Sequence, residues 1–502
     1  MRRAAVAGGE RPALRSHDAE LTWADLDRQV DAVAAGLSAL GLPADEHGRP
    51  RVAIALPNVP EFAAVFFGVL RAGLVAVPVN PAYTARELTH VLADSGAAVL
   101  VGTAPVLEAL GEAAPAVRYQ LGKNLGELLS ERSGFTQDEA VGRFTQDEAV
   151  GGEDLAVLLY TSGTAGAPKG AMLPHRALLA NHEQLASIDP PPVEPDDVLL
   201  LAVPLFHAYG LNSGLGAVAY HGACGVLLER FDPADALEAI ERHGVTAVVG
   251  VPPMFIAWSL MGERLAEAWS RVRLAVCGAS PLDAAAEQRF ADATGRAVHQ
   301  GYGLTEAAPV LTSTLVSPAV KPGSIGRPIP GVEVRLVDAE GEDVAVVDED
   351  EDEISDPGEI VARGANLFLG YWPDGSGGPG EDGWWATGDV AYADEDGDLF
   401  IVDRLGELIL VSGFNVYPHE VESVLAAHES VVEAVALGVP HPYTGQTVKA
   451  LVVRVPDSQV TAEELIAHCE RNLARFKCPT AIEFVAELPH SATGKVRKGT
   501  LR

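Results

Sequence analysis

Lysine is nearly missing from this 502-residue chain. Only Lys123, Lys169, Lys321, Lys449, Lys477, Lys495 and Lys498 occur, and 36 basic residues face 70 acidic ones. The formal charge of −34 argues against a nucleic-acid partner, because phosphates demand a basic surface. Cysteine is scarce too. Cys224, Cys277, Cys469 and Cys478 stand apart without CxxC spacing, which fits neither a disulfide framework nor a zinc site and leaves buried thiols. No apolar run approaches the ~20 residues of a membrane span. Arg2 and Arg3 are not followed by the apolar run of a signal peptide. The expectation is a cytoplasmic chain without a transmembrane segment. The acidic, lysine-poor surface has two readings: a fit to a high-salt cytoplasm, where screening removes carboxylate repulsion, or a GC-rich genome writing Arg for Lys.

Core-forming material is plentiful. Apolar residues make up 48% of the chain, and its length exceeds one simple core, so two or three domains are expected. Leu26, Val30, Val33, Leu37 and Leu40 recur at helical spacing, entered through Thr22-Trp23-Ala24-Asp25 and stopped by Gly41. Short apolar runs at 52–56, 97–101, 155–160, 246–251 and 274–277, separated by helical stretches, read as buried strands of an α/β fold. Loops at the ends of such strands are where α/β folds place ligands. Near 403–407 the pattern changes to a small α+β domain. Thr461-Ala462-Glu463-Glu464 there reads as a capping box opening a helix, with strand-like runs at 431–437, 449–455 and 482–485. The octapeptide FTQDEAVG occurs twice, at 135–142 and 144–151, and reads as a duplication in a tolerant loop. The acidic run 348–353 reads as a solvated loop, and the glycine-rich 373–383 as a flexible connector.

Chemistry concentrates in a few strings. Tyr160 to Gly170 reads YTSGTAGAPKG directly after an apolar run. Its hydroxyls, glycines and backbone amides suit a polyphosphate, and Lys169 adds a point charge for the outer phosphates. No Gly-Lys-Ser/Thr closes it, so it is not a Walker loop. Gly301-Tyr302-Gly303-Leu304-Thr305-Glu306 sets a carboxylate beside a hydroxyl. A carboxylate close to phosphates is repulsive unless a divalent cation lies between them. Gly278-Ala279-Ser280 follows a strand, Thr387-Gly388-Asp389 taken alone is a common turn tripeptide, and Lys495 follows Thr493-Gly494 near the chain end.

Together and in this order, these strings resemble the signatures of the adenylate-forming superfamily, and most of all its fatty-acyl-CoA and 4-coumarate-type ligases. The resemblance runs from Leu21 to Arg502. It implies an ATP site in which Thr161, Ser162, Gly163, Thr164 and Lys169 hold phosphates, and Gly278, Ala279, Ser280 and Tyr302 lie against adenine. It further assigns Gly303 and Thr305 to the nucleotide, Glu306 to Mg2+, and Asp389 and Arg404 to ribose. Lys495 is implied as the catalytic residue of adenylation, aided by Thr305, Glu306 and His207. The fold implied is α/β: a large N-terminal domain of several subdomains over 1–403, a hinge at 404–407, and a small mobile α+β lid over 408–502. The hinge position carries Gly406, where the family commonly has Asp or Lys. Gly413 and Phe414 match the loop lining the route of the thiol of coenzyme A.

The acid pocket is implied by Pro204-Leu205-Phe206-His207-Ala208-Tyr209-Gly210. His207, Tyr209, Ser213, Ala308, Pro309 and Val310, with Met254, are its candidate lining, and small residues at 210, 214 and 216 leave room for an apolar tail. The expected reaction is ATP-dependent formation of an acyl-adenylate, then of an acyl-CoA, from a medium- or long-chain fatty acid. Aryl acids are the runner-up. Loading of a carrier protein in trans and a non-catalytic regulatory homologue are the other readings. A homodimer is compatible with the resemblance.

Overall fold

The computed structural model describes residues 1–17, 19–129, 150–161, 168–344, 354–404, 407–412, 414–491 and 495–501. Both copies of FTQDEAVG (apart from the final Val150 and Gly151), the acidic run 348–353, Gly406 and Gly413 lie outside these residues. Among the described residues the strands form sheets of six, nine, four and five strands. The chain separates into two compact units. One covers most of 1–333 together with 363–383, and the other covers 334–362 and 384–502. The expected boundary at 404–407 therefore falls within the second unit, because the four-stranded sheet groups with the C-terminal part.

In the first unit, the six-stranded sheet is parallel through Arg51–Ala55, Val75–Pro78, Val99–Gly102 and Val117–Gln120. It ends in the antiparallel pair β1 (Leu155–Thr161) and β2 (Lys169–Pro174). The nine-stranded sheet has a parallel centre that includes Val198–Leu201, Ala247–Gly250 and β3 (Leu274–Cys277). It continues through β4 (His299–Gly303) to the antiparallel β5 (Val310–Ser313). The central parallel strands are almost wholly apolar, as strands covered on both faces must be. Burial of Trp258, Trp269, Phe255 and Phe290 beside this sheet closes one large core. Met254 is part of that core, as Tyr209 is.

The capping signals fold as read. Thr22 caps Trp23–Ala39 and Thr461 caps Ala462–Asn472, each with the reciprocal carboxylate bond of a capping box. The second unit pairs β6 (Trp385–Ala393) with β7 (Leu399–Arg404). Its five-stranded sheet includes Val431–His441 and Gly445–Arg454. All four cysteines are buried and unpaired. No helix among the described residues is long and apolar enough to cross a membrane.

Candidate active site

The phosphate string is flanked by two antiparallel strands. Thr161 on β1 pairs with Lys169 on β2, and Ser162, Gly163 and Thr164 between them lie outside the described residues. Lys169 opens the returning strand with its side chain exposed. Its Nζ stands 5.1 Å from the centroid of the Tyr371 ring. The Tyr371 hydroxyl donates to Glu306 Oε1 at 2.6 Å, so two expected site residues 137 positions apart are drawn towards one phenol. Glu306 is only 7% exposed and sits on the single turn Thr305–Ala307. A lone carboxylate beside a lysine is a poor all-protein cage, but it suits magnesium, which takes one or two carboxylates and fills its sphere with phosphate oxygens and water.

Two buried amides fix the residues after Glu306. Asn212 donates to the Ala308 carbonyl at 2.7 Å, and Asn366 to the Ala307 carbonyl at 2.8 Å. Asn181 brackets Val310, donating to its carbonyl at 2.9 Å and accepting from its N–H at 3.2 Å. Ala308, Pro309 and Val310 therefore hold a fixed path, with Ala308 at φ +57°. Asn212 belongs to Tyr209–Gly216, a π-helix, a form that collects at functional sites. That helix also carries Tyr209 and Ser213. The Tyr209 ring packs on Gly278, where a Cβ would stand 3.0 Å from Cζ. Glycine at 278 is thus needed by the ring before any adenine arrives. Ala279 follows in the left-handed region at φ +72° and Ser280 continues the turn. Tyr302 and Gly303 lie on β4, paired across to β5.

His207 is neutral. Burial pushes its imidazole down to about 4, and Nδ1 accepts the Tyr209 N–H at 3.3 Å, which leaves the proton on Nε2. Burial also raises the Tyr209 phenol. The Ser213 hydroxyl is buried and meets no hydrogen-bond partner among the described residues.

The second unit assembles the other expected residues. Asp389 on β6 lies opposite Arg404 on β7, and Arg404 Nε donates to Asp389 Oδ1 at 2.6 Å. The charges of this pair act on Lys495. Burial lowers its ammonium pKa, with the Arg404 charge acting the same way, while Asp389 and Glu407 oppose the shift. Lys495 is exposed as a whole residue, so the direction of this shift rather than its size carries the reading. Ser491 N–H donates to the Lys495 carbonyl at 2.8 Å, and Lys495 N–H to Ser491 Oγ at 3.1 Å. Lys498 Nζ lies 2.9 Å from both Glu407 and Glu422. Burial opposes its charge, but these two carboxylates prevail and raise its pKa. Phe414 is 57% exposed, its ring 4.9 Å from Phe476.

Sequence reasoning missed Tyr371, Asn181, Asn212, Asn366 and Lys498. An asparagine or tyrosine between apolar residues carries no local signature, since its partners lie far along the chain.

A hairpin lysine and a buried carboxylate that share one tyrosine, in a chain that also carries an Asp–Arg ion pair, are features expected of a nucleotide-dependent acid-activating ligase. Residues 1–372 match the model for the AMP-binding enzyme family, and residues 420–495 match that for the AMP-binding enzyme C-terminal domain. The chain belongs to this adenylate-forming family. It is 36% identical to a long-chain-fatty-acid–CoA ligase of Yersinia pestis, over 99% of this chain and 92% of the relative. It is 38% identical to a feruloyl-CoA synthase of Amycolatopsis sp, over 98% of this chain and 95% of the relative. Among solved structures it resembles o-succinylbenzoate coenzyme A synthetase from Bacillus subtilis in complex with ATP and magnesium ion. There the TM-score is 0.83 at 28% identity, covering 100% of this chain and 98% of the other. A mixed α/β fold with a large N-terminal and a smaller C-terminal domain is common to these enzymes and this chain.

Proposed function

We propose that this enzyme activates a medium- or long-chain fatty acid with ATP and passes the acyl group to coenzyme A, releasing AMP and pyrophosphate. What supports the reading most is the ion pair of Arg404 Nε with Asp389 Oδ1 at 2.6 Å, whose charges act on Lys495. An ammonium near a pair that holds the ribose would lie within reach of the α-phosphate of the same nucleotide. A carboxylate is a poor electrophile because it is already anionic. Its attack on the α-phosphorus forms a mixed anhydride and expels pyrophosphate, and Lys495 stabilises the charge that builds there. Glu306 would hold magnesium, which would supply charge screening for the phosphates. Lys169 and the 161–164 turn grip the outer phosphates, Asp389 and Arg404 the ribose, and the 278–280 turn with Tyr302 the adenine. Neutral His207 borders the carboxylate without adding charge. The thiol of coenzyme A then attacks the acyl carbonyl along a route past Gly413 and Phe414, after residues 408–502 rotate about a 404–407 hinge. The cytoplasm is the proposed compartment, in keeping with four free cysteines.

A second reading has its own support. The partnerless Ser213 hydroxyl favours an acid carrying a polar substituent, as an aryl acid does, because a buried hydroxyl gains from a partner. A panel of saturated C6–C18 acids with coumarate and ferulate, read as AMP and thioester with coenzyme A present, decides. Turnover confined to the aryl acids rejects the fatty-acid reading. AMP without thioester, relieved by a carrier protein, rejects coenzyme A as acceptor.

A further inference from the structure

Tyr371 reaches both the residue assigned to magnesium and the lysine assigned to the outer phosphates. Its hydroxyl donates to Glu306 Oε1 at 2.6 Å, and its ring lies 5.1 Å from the Lys169 ammonium. A phenol donor satisfies one oxygen of a buried carboxylate and leaves the second to a cation. An aromatic face attracts an ammonium without neutralising it. One side chain thus serves an anion and a cation at the same site by different means.

The backbone at Tyr371 is tied down and its ring is packed by Phe368 and Gly377. Residues 369–372 run beside β2 as an added strand. Leu369 N–H donates to the Met172 carbonyl at 2.9 Å, Met172 N–H to that of Gly370 at 3.1 Å, and Trp372 N–H to that of Gly170 at 2.8 Å. Tyr371 N–H donates to the Ser376 carbonyl at 2.9 Å, and its own carbonyl accepts the Gly375 N–H at 2.8 Å. Phe368 meets the ring edge-on at 5.2 Å. Gly377, at φ +69°, lies so close that a Cβ there would stand 3.1 Å from Tyr371 Cδ2. The glycine-rich stretch expected to be a loose connector is, at its start, a clamp on this tyrosine. Glycine is used there because the chain must fold tightly around a ring.

We propose that Tyr371 is a positioning residue for nucleotide activation, orienting the Glu306 carboxylate for the divalent cation and seating the Lys169 ammonium for the outer phosphates. The proposal rests on the assignment of Glu306 to magnesium and Lys169 to phosphate. Partners that orient a metal ligand are typically worth 10–100-fold in metal affinity, and an exposed cation–π contact about two- to fivefold.

Calorimetric titration of ATP into the full chain, at a series of Mg2+ concentrations and again in EDTA, separates the two contributions. Tyr371→Phe keeps the ring and loses the hydroxyl. The Mg2+ concentration giving half-maximal enhancement of ATP binding should rise about tenfold, with ATP affinity in EDTA unchanged. Tyr371→Leu loses the ring as well and should also weaken ATP binding in EDTA by roughly threefold. An unaltered Mg2+ requirement in Tyr371→Phe overturns the proposal if Glu306→Gln abolishes the Mg2+ effect. If Glu306→Gln also leaves the effect intact, the metal assignment itself falls and takes the proposal with it. An equal loss of affinity with and without Mg2+ in Tyr371→Phe, accompanied by a lower melting temperature of the free protein, also overturns it and leaves Tyr371 a purely structural residue.

Discussion

Lys495 shows how one side chain's surroundings set its chemistry. Crowding and the Arg404 charge lower its ammonium pKa, so its proton leaves at lower pH than that of a free lysine. Adenylation should therefore lose rate as pH rises through the lowered value, because the deprotonated amine no longer stabilises the α-phosphate. Lys495→Ala should reduce acid-dependent pyrophosphate release ~10²–10³-fold and remove that alkaline limb. Thioester formation from preformed acyl-adenylate should continue at its usual rate. Pyrophosphate release undiminished in the variant would remove Lys495 from the mechanism. At this scale the sequence was legible as a set of candidates, Lys169, Glu306, Asp389 and Lys495, each in a string of fixed spacing. It was not legible for Tyr371, whose meaning depends on a carboxylate 65 residues away, nor for Asn212, whose partners Leu178 and Ala308 lie on separate segments.

Elements were read best where the signal is local. Thr461 and Glu464 announce a helix because cap and carboxylate are three residues apart and satisfy each other's backbone groups. The π-helix Tyr209–Gly216 escaped such reading, since its glycines look like the makings of a roomy pocket rather than of a wound turn. In the second unit, the contact that joins elements is Lys498. It ties Glu407, next to the expected hinge, to Glu422 on the helix Pro418–Ala426. Removing one partner of a buried pair leaves the other charges uncompensated, which costs about 3 kcal/mol. Lys498→Ala should lower the denaturant midpoint of the C-terminal unit accordingly, followed by a probe within that unit. The ATP affinity of the N-terminal unit should change little. A midpoint equal to wild type would mean that the two glutamates find solvent instead.

The whole molecule carries a charge of −34, spread over a surface with few lysines to offset it. Self-repulsion of this kind destabilises the compact state and is screened within about 10 Å at 0.1 M salt and about 3 Å at 1 M. The melting temperature should rise by several degrees between roughly 0.1 and 1 M KCl. A fall would show that the paired charges outweigh the unpaired ones. The α/β class and the order of motifs were legible from the alternation of apolar runs and helical stretches. The division into units was not, because the four-stranded sheet draws residues 334–362 and 384–404 towards the C-terminal part. That pairing is decided by strand register across the chain, which no local composition announces.

The four native thiols are packed away, and burial pushes Cys224 up to about 11 and Cys469 up to about 12. Maleimide reagents act on thiolates, so they meet a nearly silent background at neutral pH. A cysteine introduced at Leu260, 73% exposed in the first unit, and another at Tyr443, 92% exposed in the second, would then take fluorophores cleanly. Energy transfer between those dyes, followed as ATP, acid and coenzyme A are added in turn, would time the proposed rotation on unmodified native chemistry.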